Sequence, residues 1–579
     1  MLMVEAQNLS YSFAKGKPKV VSQLNLSVKE GEIVAIVGPS GSGKTVVAYL
    51  LSGIIPSYFK NGDIDGGLRI DGRDALAAGE DGEGLVGIVL QNPEAQLFGF
   101  RVEDTIAFGM ENIGYFRDKM NENLDRVIKE LRMEHLRYRF TDSLSGGQKQ
   151  VCCIASVLAM DPKVLVLDEP VSALDPGGVI LVQQAVSRLK ETGRTIIVID
   201  NNLEWVAPLL DRVIVMEDGS VSHDVAAAEF FADRELVNRS GVTTPQVNDL
   251  YHQLSALGYS LPVFVDFETA RAGLSDSGNL MPAHSIIEAS PQGAEPEVVV
   301  SARDLSFSYG DVPALQDVNL DFREGRITGI IGQNGSGKST LLKHLNGLLK
   351  PTRGEITVRG KSPHQATIAE MALTVGFVFQ NPDQMLFEES VEREASFAIR
   401  AIYGKVGSER GKWVRGLLER FGLARFIDVL PFNLSTGHKQ WLTIVSAISV
   451  DPPVLVLDEP TMGMDRRAKS QLQQMVRSWK QEGKTTIIIS HDLPFLAELA
   501  EDVLVLDHGR VMRFGPAREV FSDHNLFAEI NIPLPQITRL GLAAGRSGVL
   551  SIGEFLKAAA ADTAPEPNVG GEVGVSAAC

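Results

Sequence analysis

Residues 38–45 read Gly38-Pro39-Ser40-Gly41-Ser42-Gly43-Lys44-Thr45, and residues 332–339 read Gly332-Gln333-Asn334-Gly335-Ser336-Gly337-Lys338-Ser339, with Thr340 next. Both fit the phosphate-loop pattern of Gly, four residues, Gly, Lys, then Ser or Thr. Each follows a short apolar run, EIVAIVG or RITGIIG, and each precedes a helix-like stretch, VVAYLLSGI or TLLKHLNGL. A buried strand feeding a glycine-rich turn into a helix makes an anion cradle, because backbone N–H groups and the helix N-terminus converge on one point. Lys44 and Lys338 would reach the outer phosphates of a nucleotide, and Thr45 and Ser339 would ligate Mg²⁺.

Working outward, the two loops belong to two copies of one unit. Lys44 and Lys338, Gln91 and Gln380, Ser143 and Asn433, Asp168 and Asp458, and Pro245 and Pro535 recur about 290 residues apart. Each copy opens with a strand-like segment (NLSYSF from Asn8, DLSFSY from Asp304). Later each carries the buried runs KVLVLDEP or PVLVLDEP and TIIVID or TTIIIS. Apolar strands alternating with helices predict an α/β fold with a mostly parallel sheet.

The bulk numbers narrow the classes. A chain of 579 residues is too long for one core. With 73 acidic against 55 basic residues, the formal charge is −18, which argues against a broad nucleic-acid partner. The three cysteines, Cys152, Cys153 and Cys579, match no metal or disulfide spacing. The start MLMVEAQNLSYSF is not expected to be a signal peptide, and no run reaches the length of a membrane span, so the chain is expected to dock on a membrane protein rather than cross the bilayer.

The Leu-Asp-Glu-Pro runs place paired carboxylates at a strand's carboxyl edge, where ligands bind in parallel sheets. Asp168 and Asp458 would hold Mg²⁺, and Glu169 and Glu459 would take a proton from attacking water. These motifs in this order, together with Leu144-Ser145-Gly146-Gly147-Gln148, resemble the ATP-binding cassette (ABC) ATPases. The resemblance covers nearly the whole chain. It implies two tandem P-loop domains, each with a parallel core sheet, an antiparallel β subdomain, a helical subdomain and a small C-terminal extension, using ATP and Mg²⁺. It also implies that the two cassettes pair head to tail, each ATP lying between one phosphate loop and the other copy's signature. Gln91 and Gln380 match the family's glutamine at the site edge and near the metal, and Phe13 and Tyr309 match its adenine-stacking aromatic. The turn after Asp-Glu-Pro is matched by Ser172-Ala173-Leu174-Asp175 and by Met462-Gly463-Met464-Asp465, the first more closely.

The departures from the pattern sort onto one site. The second signature reads Leu434-Ser435-Thr436-Gly437-His438, with threonine where the family has glycine and histidine where it has glutamine. The histidine that the family places after the last core strand is His491 in the second copy and Asn201 in the first. Head-to-tail pairing puts both faults at the first site, with Lys44, Asp168, Glu169 and Asn201 facing Ser435 and Gly437. The second site, with Lys338, Asp458, Glu459 and His491 facing Ser145, Gly146, Gly147 and Gln148, matches throughout. One hydrolytic site and one weak or ATP-retaining site are expected; the alternative is turnover at both.

After each edge glutamine the chain reads QNPEAQLF or QNPDQMLF, similar to ATPases of energy-coupling-factor (ECF) and cobalt-type importers, with Met385 departing from that pattern. The repeated tails at Pro245-Gln246 and Pro535-Gln536 resemble that group's C-terminal extension. The resemblance implies two partners, a transmembrane coupling protein contacting Asn92–Arg101 and Asn381–Glu389 and a substrate-capturing membrane protein, at the cytoplasmic face of the membrane. The rivals are a soluble tandem ATPase acting in translation or DNA repair, and a non-hydrolysing scaffold. The expected domains are residues 1–235 and 298–525 as cassettes, 236–269 and 526–557 as extensions, 270–297 as a linker and 558–579 as a disordered tail.

Overall fold

Each half is organised by a six-stranded sheet whose central strands are buried along their whole length. The computed structural model describes residues 1–39, 41–59, 61–76, 85–276 and 296–563. In the first half the sheet order is Ser220–Ala226, Arg212–Glu217, Ile33–Val37, Thr195–Ile199, Val164–Asp168, Val86–Val89, parallel except at the Ser220–Ala226 edge. In the second half Arg510–Pro516, Asp502–Asp507, Ile327–Ile331, Thr485–Ile489, Val454–Asp458 and Val375–Val378 repeat that order. Continuous apolar runs form these strands because a parallel sheet is covered on both faces.

The period of two along a strand distributes its side chains between two cores. Ile33, Ala35 and Val37 enter the core shared with the helical region, which also holds Cys152 and Cys153. Val34 and Ile36 enter the opposite core, under an antiparallel sheet formed by Leu2–Ser12, Val21–Lys29, Asp63–Ile70 and Arg73–Asp74. The second half's antiparallel sheet has three strands, Val312–Arg323, Val298–Tyr309 and Arg353–Val358. The signature helices, Gly146–Ala159 and Thr436–Ile448, start at the N-caps Ser145 and Ser435 and bury one apolar face in the helical region.

The two extensions fold into one shared core. Val247, Leu250, Leu254, Phe264, Ala270 and Leu274 pack with Ile537, Leu540, Val549, Ile552 and Phe555. The Pro-Gln pairs flagged by the repeat stitch this core from both sides. Gln246 Oε1 accepts from the Ile537 N–H at 3.1 Å, and Gln536 Oε1 accepts from the Val247 N–H at 3.1 Å.

The expected linker at 270–297 is corrected at its start. Helix Phe267–Asp276 runs through it and buries Ala270 and Leu274, an i, i+4 pair hidden by the Ala/Gly/Ser composition. The rest of the expected linker, 277–297, lies outside the described residues apart from its last two positions, 296 and 297. The tail expectation also shifts, because helix Ile552–Thr563 passes the boundary at 557; residues 564–579 lie outside the described residues.

Candidate functional site

The carboxyl ends of Ile33–Val37, Val164–Asp168 and Thr195–Ile199 lie side by side, and the site grows from the three turns that leave them. In the first turn, Gly38 has φ +147° and an added Cβ would sit 2.1 Å from the Met216 carbonyl oxygen. Gly332 repeats this with φ +156° and Leu506 O at 2.2 Å. Only glycine fits there. Lys44 Nζ donates to the carbonyls of Gly38 (2.7 Å) and Pro39 (3.1 Å), and Lys338 Nζ to those of Gly332 and Gln333, both at 2.7 Å. Burial lowers both lysine pKa values, opposed by Glu169, Asp168 and Asp200 around Lys44 and by Glu459, Asp175 and Asp458 around Lys338.

These residues fit a magnesium nucleotide. Ser42 Oγ and Ser336 Oγ are buried in the two loops with no partner among the described residues, and Ser339 hydrogen-bonds Asp458. Hydroxyl, carboxylate and amide oxygens are the donors Mg²⁺ takes. The sets Thr45, Gln91, Asp168 and Ser339, Gln380, Asp458 would hold it. Ser40 lies outside the described residues. Phe13 and Tyr309 are both exposed, each edge-on to a second ring: Phe13 to Tyr11 at 5.3 Å and Tyr309 to Phe307 at 4.9 Å.

At the second site Glu459 is buried. Its Oε2 accepts from the His491 backbone N–H at 3.1 Å, while Oε1 has no hydrogen-bond partner among the described residues. Burial pushes this carboxyl up to about 7, against the His491 N–H and the charge of Lys338. Burial, then Lys338, pushes the His491 imidazole down to about 4, against Asp175. The ring is therefore neutral, and the 3.4 Å approach of His491 Nε2 to Glu459 is a polar contact rather than an ion pair. Nε2 also meets Asn334 Oδ1 at 3.1 Å, which fixes its proton on that nitrogen.

The halves meet here. Asp175 Oδ1 caps its own helix through Gly178 N at 2.8 Å, and Oδ2 accepts from the Asn334 backbone N–H of the second phosphate loop at 3.2 Å. This bond sets the first half's Ser172–Asp175 turn against the second half's nucleotide loop. Gly147 of the first signature lies against Gly178, where an added Cβ would be 2.4 Å from its Cα.

The first site differs in three ways. Asn201 Oδ1 is buried without a partner among the described residues, and its backbone carbonyl accepts from Thr243 N at 2.8 Å. Gln91 Nε2 donates to Glu169 Oε2 at 3.0 Å and to Ser172 Oγ at 3.2 Å. Gln380 makes no such bond among the described residues, and Met462 takes the place of Ser172. As at the second site, burial raises the acid pair: Glu169, against Lys44, and Asp168, up to about 6. Finally, Thr436 turns its methyl onto Gly463 of its own half, where an added Cβ would lie 2.8 Å away. A cavity of about 1660 Å³ between the halves is lined by Lys44, Gln91, Glu169 and Asn201 on one side and by Ser435 and Thr436 on the other.

Sequence reasoning missed two features. Asp200 stands where the second half has Ser490; buried, bonded to the Trp205 indole at 3.0 Å and to Asn202 N at 2.8 Å, it is pushed up to about 7. Aligning TIIVID with TTIIIS exposes that difference. A polar cluster also crosses between the halves: Arg466 pairs with Asp249 at 2.6 Å, and Lys469 pairs with Asp492 at 2.7 Å beside Glu204. No sequence spacing announces it.

The ABC transporter family profile matches residues 21–172 and 315–462. A "Putative ABC transporter ATP-binding protein" of Caldanaerobacter subterraneus is 33% identical over 95% of this chain and 97% of its own length. The "Putative HMP/thiamine import ATP-binding protein YkoD" of Bacillus subtilis is 32% identical over 92% of this chain and 95% of its own. Among solved structures, an archaeal ribosome recycling factor in complex with a ribosomal stalk protein shares the fold, with a TM-score of 0.54 and 21% identity over 88% of this chain and 90% of its own. The tandem loops, the repeated sheets and these full-length matches converge: the chain belongs to the ABC transporter family, two ATP-binding cassettes in one polypeptide that bind ATP with Mg²⁺ and whose ATPase activity is coupled to transport.

Proposed function

We propose that this chain energises an ECF-type importer of a vitamin or transition metal ion as a peripheral subunit on the cytoplasmic face of the membrane. The observation that carries this reading is a matched pair of exposed aromatic surfaces wired to the signature helices. In the first half Phe98 and Phe100 are 66% and 84% exposed, and Phe98 stacks on Phe108 at 5.1 Å. In the second, Phe387 is 59% exposed and meets Phe397 edge-on at 4.7 Å. Beside each surface, the acid of the Gln-Asn-Pro-acid run pairs with the lysine that follows the signature: Glu94 with Lys149 at 2.9 Å and Asp383 with Lys439 at 2.7 Å. Helices of a membrane coupling protein inserted at Asn92–Arg101 and Asn381–Glu389 would pull on the nucleotide sites through these pairs. No helix among the described residues is long and apolar enough to cross a membrane. The name of the Bacillus subtilis relative points the substrate class toward thiamine precursors.

In this reading the second site performs hydrolysis. Lys338 and the loop amides hold the phosphates, Ser145 and Gly147 close from the other half, and His491 orients Glu459. Glu459 Oε1, its free oxygen, accepts the proton of the attacking water. Bound Mg²⁺ would offset phosphate charge between Ser339, Gln380 and Asp458. The first site holds ATP with little turnover.

Affinity purification from detergent-solubilised membranes tests the assignment. A small membrane protein that co-purifies, and that Phe98→Asp with Phe387→Asp releases, supports it. Ribosomes or DNA in its place, or ATP binding without turnover when the membrane partner is present, overturn it.

A further inference from the structure

The two signatures treat their serine in opposite ways. In the first, Gln148 Oε1 accepts from the Ser145 backbone N–H at 3.1 Å, and Ser145 Oγ accepts from the Gln148 N–H at 3.3 Å. The hydroxyl proton of Ser145 has no acceptor in that box and is free to be donated. In the second, His438 replaces the glutamine and turns its ring onto the serine, with Ser435 Oγ and His438 Nδ1 2.6 Å apart. Ser435 Oγ also accepts from the His438 backbone N–H at 3.4 Å. A neutral ring with its proton on Nε2 completes this pair by taking the hydroxyl proton at Nδ1. Phosphate oxygens only accept hydrogen bonds, so Ser435 then has nothing to give one. An imidazolium donates from Nδ1 to Oγ and turns the hydroxyl proton outward.

We propose that His438 is a specificity-determining residue of the first nucleotide site: its neutral ring, carrying its proton on Nε2, withholds the Ser435 proton from ATP and its protonated ring releases it, so ATP is held there in step with proton uptake. This rests on the head-to-tail pairing proposed above, which sets Ser435 across the cavity from Lys44.

The surroundings set the resting state. The ring lies edge-on to Phe426 at 4.9 Å. Burial, then the Arg425 guanidinium, hold the imidazole below its usual pKa, against Asp465 on the adjoining turn. Lys439 faces away, paired with Asp383. Without nucleotide the ring is therefore neutral near pH 7. A triphosphate entering the cavity brings the counter-charge that favours the imidazolium, so binding at this site takes up a proton and affinity falls as pH rises.

The test uses the full chain carrying Lys338→Ala, which removes the second site's phosphate lysine. Binding of radiolabelled Mg-ATP is measured by equilibrium dialysis from pH 6 to pH 8.5. The expected affinity falls about tenfold across that range, within the limit of one proton per site. His438→Gln, which installs the residue the first signature carries, is expected to keep the low-pH affinity throughout. Ser435→Ala is expected to bind weakly at every pH. The titration of ATP itself is common to all three proteins and cancels between them. If His438→Gln keeps the parent's pH slope while Ser435→Ala weakens binding, the role of His438 is overturned and the pairing stands. If Ser435→Ala binds as tightly as its parent, the pairing and the proposal both fall.

Discussion

The two nucleotide sites are built from the same strands, turns and helices, yet they differ where a proton must move. At the second site Glu459 has one free carboxyl oxygen and a neutral histidine beside it. At the first, the equivalent glutamate is engaged by Gln91, the histidine is asparagine, and an extra buried acid, Asp200, stands behind. In the proposed reading, nucleotide holding and nucleotide cleavage are separable within one fold: the glycine cradle and its lysine are duplicated intact, while the groups proposed to handle water are not.

The largest expected effect comes from the base. Glu459→Gln should lower steady-state turnover by roughly 10²–10⁴-fold, with a far smaller loss for Glu169→Gln. Equal losses in a phosphate-release assay would erase the distinction between the sites. Next is the core shared by the extensions. Phe264→Ala should cost about 3–5 kcal/mol of stability, as for a fully buried aromatic, and should loosen both halves together. Calorimetry showing that only the first half melts earlier would mean that the halves are not joined there.

A smaller effect tests how the second signature accommodates threonine. Gly463→Ala should destabilise by about 1–3 kcal/mol, because the new methyl meets Thr436 and an L side chain strains the backbone at φ +70°. Thr436→Gly in the same chain should recover only the part of that loss that comes from the contact, so thermal melts of the two singles and the double should be non-additive. Simple additivity would show that the two positions do not touch. The smallest effect concerns Glu204. Burial, Asp492 and Asp249 raise it to about 7, against Lys469. The folded chain therefore keeps this proton while the unfolded chain loses it at the ordinary, lower glutamate value. Stability from this group is full in acid and is lost as pH rises through about 7. Glu204→Gln should raise the melting temperature at pH 8 and leave it nearly unchanged at pH 4; a gain at both would show that charge is not the cause.

Much of this was legible in the residues. The apolar runs ending at Val37, Asp168 and Ile199 could only be covered parallel strands, and the loop glycines could only be tight turns. The faults at Thr436 and Asn201 were visible because the chain contains its own reference copy. What could not be read was compensation across space. Gly463 yields to Thr436, Asp175 reaches Asn334 some 160 positions away, and Gln246 and Gln536 exchange bonds between halves. Each depends on distances that no periodicity encodes. Helix Phe267–Asp276 was hidden for a simpler reason: its small residues share the composition of a linker.

The common core beneath the two extensions has a kinetic consequence. The halves belong to one polypeptide and cannot diffuse apart, and because Phe264 and Phe555 share one apolar cluster the nucleotide-bearing faces stay close when they part. Re-closure is then a unimolecular event whose speed is independent of how much protein the cell contains. A scarce transporter would cycle as fast as an abundant one.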